Sequence, residues 1–176
     1  MSEMSKRDNG LYDPAFERDN CGFGLMAHMD GVASHWLVET AIAALNRMTH
    51  RGAIAADGKS GDGCGLLLKM PESFLRAVAT EAGITLRDGF AVGAIFLARD
   101  AALATAARTA LERELEAEGL PCAGWRVVPI HDEACGEAAR ATLPRIEQLF
   151  VNAPEGMGEA DFERHLYIAR RRAEKA

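Results

Sequence analysis

One cysteine of this chain stands in a setting that suits chemistry better than packing. Cys21 lies between Asn20 and Gly22, at the start of an apolar segment, in the stretch ERDNCGFGLMAHMDG. A thiol acts as a nucleophile only where it is accessible and partly ionised. A free α-amine on the cysteine itself, with a pKa of about 8, can serve as the base near neutral pH. That route requires cleavage of the peptide bond before Cys21, and the alternative is a buried structural cysteine.

A second stretch, DGKSGDGCG at residues 57–65, is rich in glycine. A phosphate-binding loop would need glycine at position 53, where Ala53 stands, and a calcium loop would place Lys59 at a ligand position. The plain interpretation is a glycine turn between a helix and a strand. The functional interpretation is that three glycines let the backbone approach a nearby site closely: Gly61, Gly63 and Gly65.

The cysteines and histidines have no metal-binding spacing. The four cysteines, at positions 21, 64, 122 and 135, form no CxxC pair. His35 and Glu39 lie one helical turn apart, but no third ligand accompanies them. We therefore expect no metal and no cofactor in this segment.

Composition limits the class of protein. The 176 residues are 48% hydrophobic and 26% charged with a net charge of −6, which is typical of a globular domain and does not favour a nucleic-acid partner. No apolar run approaches the ~20 residues of a membrane span. The first ten residues lack the apolar region of a secretory signal. We expect a cytoplasmic protein with reduced cysteines and no membrane partner.

The first third of the chain predicts a strand, a helix and a second strand. CGFGLMAHM is strand-like and is followed by a turn at Asp30 and Gly31. Ser34 can cap a helix whose apolar residues recur every three or four positions. His50 and Arg51 would lie in its last turn, with Gly52 at C′. GDGCGLLLKM then predicts a glycine turn leading into a strand.

The remainder predicts layers of helix on a mixed or antiparallel sheet, in one domain. Pro71 opens a helix that Gly83 closes, and Asp100 opens another that Gly119 closes. FAVGAIFLA is a continuous apolar run, so both faces of this strand should be covered. WRVVPI and IEQLFVNAP predict two more strands, and IARRRAEKA lies in a final helix.

Three stretches together resemble a known family: LYDPAFERDNCGFGLMAHMDG, MTHRGAIAADGKSGDGCGLLL and LPRIEQLFVNAP. They are similar to the start of the glutamate synthase large subunit, a class II glutamine amidotransferase domain of the N-terminal nucleophile type. The likeness runs from about Leu11 to the last residue. Related amidotransferases share the Cys-Gly start, whereas a leader, GDG and FVNAP in combination are typical of glutamate synthases.

The resemblance implies a division of the chain and a role for four residues. Residues 1–20 would be a leader, and residues 21–176 the N-terminal part of the amidotransferase domain. Cys21 would attack the side-chain amide of L-glutamine, with its own amine as base once the leader is removed. Arg51 and Gly52, in the family's HRG motif, would lie beside the nucleophile and hold it, and Gly22 would supply nearby backbone.

The resemblance also implies a fold, cofactors and partners. The fold would be α+β, a four-layer αββα arrangement that this segment encodes incompletely at its C-terminus, so some apolar faces should lie bare. Ammonia would pass through a tunnel to a synthase domain that aminates 2-oxoglutarate. FMN, an iron–sulfur cluster and the small NADPH-oxidising subunit would belong to other parts of the family protein.

One departure from the family pattern leaves an alternative open. The family's oxyanion hole uses an Asn-Gly pair well downstream of the cysteine, because charge that develops on the thioester oxygen needs fixed donors. The one Asn-Gly pair in this sequence is Asn9-Gly10, inside the leader. The family residues that grip the glutamine α-groups also lie further on. We therefore expect the chain taken alone to be inactive, and the alternative function is a non-catalytic remnant or interaction module.

Overall fold

The computed structural model of the chain describes residues 22–48, 54–61 and 63–175. The chain divides into two compact units, residues 1–67 and residues 68–176. We refer to them as the first unit and the second unit. Within the described residues, no helix is long and apolar enough to cross a membrane.

The first unit contains one helix, α1 (His35–Arg47), among its described residues. The Ser34 hydroxyl caps it by accepting a hydrogen bond from the Leu37 amide at 3.3 Å, as predicted. The predicted turn before it also forms, with the Gly31 amide donating to the His28 carbonyl at 3.0 Å. However, α1 ends at Arg47, earlier than predicted. The predicted last turn, residues 50–52, lies outside the described residues.

Two predicted strands are wrong. Residues 22–28 and 63–67 form neither helix nor strand, and the side chains of Phe23 and Leu67 are 92% and 99% exposed. A strand exists only where a neighbouring strand pairs with its backbone donors and acceptors. The paired strands among the described residues all belong to the second unit. Apolar composition alone therefore did not make these segments strands.

The second unit is built on a three-stranded antiparallel sheet of β1 (Phe90–Leu97), β2 (Cys122–Val127) and β3 (Arg145–Asn152). The order is β1-β3-β2, so β3 is central. Phe90 pairs with Asn152 at one end of the β1–β3 ladder, and Leu97 pairs with Arg145 at the other. A bulge between Cys122 and Gly124 shifts the register of β2. All three strands were predicted from sequence, although WRVVPI starts at Trp125 and β2 starts at Cys122, and of the two predicted arrangements, mixed or antiparallel, the described sheet is antiparallel.

Four helices accompany this sheet: α2 (Glu72–Glu81), α3 (Ala101–Ala117), α4 (Glu137–Thr142) and α5 (Glu159–Ala173). The Asp100 carboxylate caps α3 by accepting a hydrogen bond from the Leu103 amide at 2.9 Å, as predicted. Gly83 and Gly119 follow α2 and α3 with positive φ, as predicted for C′ glycines. The short helix α4 and a 3₁₀ turn at Asp132–Ala134 were not predicted.

Two apolar clusters pack on opposite faces of β3. Phe150 lies with α2 residues in one cluster, whereas Leu149 and Val151 lie with residues of α3 and α5 in the other. The alternation follows from the period of two along a strand. The prediction that both faces of β1 are covered is confirmed over most of the strand, since Phe90 lies in the α2 cluster and Ala91 packs against the other, whereas Phe96 near the end of β1 is 67% exposed. The described residues confirm an α+β fold with one sheet.

Candidate functional site

The predicted site residues fall largely outside the described part of the chain. Cys21, Arg51 and Gly52 lie outside the described residues. Gly22 is described, and it is exposed and belongs to no helix or strand. The structure therefore shows the segments that flank the predicted site rather than its geometry.

The loop of residues 54–61 connects the predicted HRG motif, residues 50–52, to the GDG motif, residues 61–63. The two ends of this loop are held together. Ile54 and Gly61 form an antiparallel bridge. Inside the bridge, the Ala55 amide donates to the Ser60 carbonyl at 2.8 Å, and the Gly58 amide donates to the Ala55 carbonyl at 2.9 Å. Gly58 has φ +67°, a left-handed conformation that favours glycine. The first and last residues of the loop therefore lie side by side.

The Asp57 carboxylate holds this loop from within. Its Oδ1 accepts hydrogen bonds from the amides of Lys59 at 3.0 Å and Ser60 at 2.7 Å. Its Oδ2 accepts a hydrogen bond from the Ser60 hydroxyl at 2.6 Å. Charge-assisted bonds of this kind are shorter and stronger than neutral ones. Both carboxylate oxygens are used by the loop itself.

These contacts bear on the interpretations of the glycine-rich stretch. A carboxylate that accepts bonds from its own turn acts as a turn residue, which fits the plain interpretation of a glycine turn. Gly63 has φ +91°, so a residue with a side chain would be strained there. No described atom lies within 4 Å of a Cβ built at Gly63 or Gly65. Close packing within the described chain is therefore not the reason for those two glycines.

The second unit contains a groove of about 720 Å³ that includes another cysteine, Cys122. Acidic side chains line it, among them Glu112 and Glu155, together with Arg87. Partial desolvation raises the pKa of the Cys122 thiol, and the Glu112 carboxylate raises it further. A thiol of raised pKa is protonated at neutral pH and is a poor nucleophile. Cys122 therefore does not replace Cys21 as a candidate.

The FVNAP motif, at the end of β3, has a structural role in the second unit. The Asn152 side chain accepts a hydrogen bond from the Arg87 amide at 2.9 Å and donates one to the Thr85 carbonyl at 3.1 Å. The next residue, Ala153, donates its amide to the Gly89 carbonyl at 2.9 Å. The motif thus fixes the segment that leads into β1.

A comparison with protein families decides the identity of the chain. The sequence profile of the glutamine amidotransferases class-II matches residues 21–176. The chain belongs to this family. The family is one of enzymes, and its profile match begins at the cysteine that the sequence singled out.

Relatives of this amidotransferase chain include glutamate synthases. It is 43% identical over 167 residues to the NADPH glutamate synthase large chain of Azospirillum brasilense, a match that covers 94% of this chain and 11% of that protein. It is 40% identical to ferredoxin-dependent glutamate synthase 1 of Arabidopsis thaliana, over 94% of this chain and 10% of that protein. The Bacillus subtilis NADPH large chain is 33% identical, with shares of 94% and 11%. The chain spans about a tenth of the length of these relatives, and the predicted resemblance is confirmed.

Sequence reasoning missed the contribution of Asp57 and Ser60 to the amidotransferase segment. The stretch of residues 57–65 was weighed as a phosphate or calcium loop, then as a plain glycine turn or as glycines that let the backbone approach a site. The spacing of Asp57 and Ser60, three residues apart before a glycine, is typical of a turn that an Asp side chain closes onto nearby amides. That signal could have predicted the hydrogen bonds of the 54–61 loop.

Proposed function

We propose that this chain supplies the glutaminase step of a glutamate synthase, with Cys21 as the nucleophile. The family match that begins at Cys21 carries the proposal, and the glutamate synthase relatives support it. Arg51 and Gly52 hold the nucleophile, and Gly22 supplies backbone beside it. The substrate is L-glutamine.

The chemistry follows from a cysteine with a free α-amine. After residues 1–20 are removed, the amine of Cys21 accepts the thiol proton, and the thiolate attacks the side-chain amide carbon of glutamine. The carbon–nitrogen bond breaks, the proton passes to the departing nitrogen, and ammonia leaves a glutamyl thioester. Water then attacks the thioester, which releases glutamate and restores the thiol.

Ammonia made in this way is used by other domains of the synthase to aminate 2-oxoglutarate. We place FMN, the iron–sulfur cluster and the NADPH-oxidising small subunit with those domains. In the described part of the chain, no three metal-ligating side chains come together, so these residues do not fit an iron–sulfur cluster. We further propose a cytoplasmic location and a four-layer αββα fold, of which the described sheet is one layer.

A chimera tests the function directly. This chain would replace the matching segment of the Azospirillum brasilense large chain, and the activity would be measured with glutamine and, separately, with ammonium as the nitrogen source. We expect activity with both. Cys21→Ala should reduce the glutamine-dependent rate by up to about 10⁶-fold, as removal of a catalytic nucleophile does in other hydrolases. The ammonium-dependent rate should stay unchanged, because ammonium bypasses the glutaminase step.

A matched variant and the rival function complete this test. Cys64→Ala removes an exposed thiol of the same unit and should leave both rates unchanged. If the unaltered chimera uses ammonium but not glutamine, the segment is a non-catalytic remnant. If Cys21→Ala keeps its glutamine-dependent rate, Cys21 is not the nucleophile.

The leader gives a separate prediction about processing. While Asn20 remains attached, the nitrogen of Cys21 is an amide and cannot act as a base. Cleavage by the cysteine's own thiol needs a strained, well-held peptide bond, and we expect the 176-residue chain on its own to keep its leader. Intact mass of the purified chain should show all residues or the loss of Met1 alone. A homogeneous species that begins at Cys21 would contradict this, whereas ragged ends would indicate trimming by other proteases.

A further inference from the structure

The two outer strands of the sheet in the second unit each have an edge that faces away from β3. Both β1 and β2 bond to β3 on one side, and no other described strand pairs with either of them. In an antiparallel pair, about half of the backbone amides and carbonyls of each strand point away from the neighbour. The outer edges of β1 and β2 therefore present backbone groups that a further strand can bond.

The edge of β2 carries features that oppose further pairing, and the edge of β1 does not. A bulge between Cys122 and Gly124 shifts the register of β2. Arg126 adds a charge to this strand and Pro121 precedes it, and bulges, charges and prolines are common protections of sheet edges. The eight residues of β1, FAVGAIFL, include no charge and no proline, and their register with β3 is unbroken. Of the two outer strands, β1 is the one open to pairing.

The side chains of β1 are also left open toward one end of the strand. Phe90 lies in the α2 cluster, whereas Ala94 and Phe96, on the same face by the period of two, are exposed. The exposed fraction of Phe96 is 67%. An aromatic side chain of this kind is stabilised by an apolar neighbour on an adjacent strand. A strand added to the outer edge of β1 would supply that neighbour.

We propose that β1 pairs with β1 of a second copy of this chain, antiparallel and about a two-fold axis at Gly93, so that the two sheets become one. An axis perpendicular to the sheet keeps each face on its own side, so residues of the same face stand opposite each other. Phe96 then lies opposite Phe90 of the second copy, beside the α2 cluster of that copy. The reciprocal pair forms at the other end of the strand.

The charges around β1 permit this pairing. No charged residue lies among the eight paired positions, so no like charges meet within the strand. Beyond its ends, Arg87 and Asp88 of one copy come next to Arg99 and Asp100 of the other, so each end holds two positive and two negative residues. A pair of strands of this length is about 27 Å long and should bury less than the roughly 1,200 Å² of a stable complex. We therefore expect a weak and reversible dimer.

Sedimentation velocity of the full 176-residue chain tests this pairing by mass action, over about a hundredfold range of concentration. The buffer contains little salt and a reductant, because the exposed Cys64 and Cys122 can otherwise form disulfides between copies. We expect the chain to pass from monomer to dimer as its concentration rises. A chain that stays monomeric would overturn the proposal, and so would growth beyond two copies, because two-fold pairing is closed.

A charge exchange at Ala94 locates the interface. About the proposed axis, the Ala94 side chains of the two copies lie on one face, about 7–8 Å apart. Ala94→Lys and Ala94→Glu should each weaken the dimer about tenfold, because like charges then repel across the axis. An equimolar mixture of the two variants should regain the dimer. If both variants are folded by circular dichroism and the mixture stays monomeric, the two-fold pairing is wrong.

Matched variants separate the edge of β1 from other surfaces. Val127→Lys adds the same charge to β2, at a side chain that is 58% exposed, and should leave the dimer unchanged. Phe96→Ala should weaken the dimer, whereas Phe74→Ala, at an exposed phenylalanine of α2, should not. A dimer that is weakened by Val127→Lys but not by Ala94→Lys would mean pairing through β2. A dimer that neither lysine affects would mean association through another surface, and either result would overturn the proposal.

Discussion

In the second unit, Phe150 and Leu120 are at most 1% exposed, whereas Phe23 and Leu67 of the first unit are more than nine-tenths exposed. The second unit buries two apolar clusters against a central strand. In the first unit, α1 has no buried residue, and the described order comes from a helix cap and the hydrogen bonds of Asp57. Burial is the larger source of stability, at about 25 cal/mol per Å² of apolar surface.

This difference indicates that the residues that stabilise the fold and the residues proposed to carry the reaction belong to different units of the chain. The residues proposed to carry the reaction belong to the first unit by sequence, and most of the side chains described in that unit are exposed. The second unit holds its shape through packing that tolerates little change. Loops on a stable scaffold are the usual place for binding and catalytic residues. Matched changes in the two units test this contrast.

The largest effect should come from truncating a core phenylalanine. Phe150→Ala removes a fully buried ring next to α2 and should lower the free energy of unfolding of the second unit by about 3–5 kcal/mol. Phe23→Ala, the matched change at an exposed position, should cost less than about 0.5 kcal/mol. Urea denaturation followed by circular dichroism measures both. Equal losses would break the comparison between the units.

A methyl group added at Gly124 should be the next most costly change. A Cβ there would lie 2.8 Å from Ile84 Cγ1, so Gly124→Ala should destabilise the second unit by about 1–3 kcal/mol. Gly65→Ala in the first unit meets no atom within 4 Å and should be close to neutral. Thermal unfolding of the two variants gives the contrast. The double variant of Gly124→Ala and Ile84→Ala should be less destabilised than the sum of the two single variants, because truncation of Ile84 relieves part of the clash.

Removal of hydrogen-bonding side chains from the two units should cost similar amounts of stability, but the destabilised regions should differ in extent. Asn152→Ala removes bonds to the Arg87 amide and the Thr85 carbonyl, and should cost the second unit about 1–2 kcal/mol. Ser34→Ala removes the cap of α1 and should cost about 1 kcal/mol. Amide hydrogen exchange should show the first loss across β1 and β3, and the second only in the first turn of α1. Spread of the Ser34 effect beyond α1 would show more cooperativity in the first unit than we infer.

The smallest effect concerns the thiols. Because the Glu112 carboxylate helps to raise the pKa of Cys122, Glu112→Gln should lower that pKa and speed alkylation of Cys122 at mildly alkaline pH about twofold. The sign follows from charge, since removal of a negative neighbour favours the thiolate. Cys64, in the first unit, serves as the reference thiol in the same digest. A slower reaction at Cys122 would contradict the electrostatic cause.

Sequence predicted the parts of the fold that depend on local signals. The caps at Ser34 and Asp100 and the glycines after α2 and α3 were predicted from residues next to the helix ends. The segments at 22–28 and 63–67 were predicted as strands because they are apolar, but a strand depends on a partner far away in sequence. The helix α4 was missed because it has six residues and no side-chain cap.

Residues of the candidate site could be predicted only where they belong to a recognisable sequence motif. Cys21 was singled out by its small neighbours and by the family resemblance, and its role remains a prediction. The Asp57 contacts depend on a turn that brings a carboxylate onto amides two and three residues on. Such turns have a weak sequence signal, since Asp is common in loops of every kind.

The order of the strands has a consequence for synthesis on the ribosome. In the described sheet, β1 and β2 do not pair with each other, and each pairs only with β3. β3 is also the last of the three to emerge, because the chain is made from its N-terminus. Until residues 145–152 leave the exit tunnel, the nascent chain carries two strand segments whose backbone groups have no neighbour. The sheet of the second unit is therefore completed by a single late insertion between strands that were made earlier.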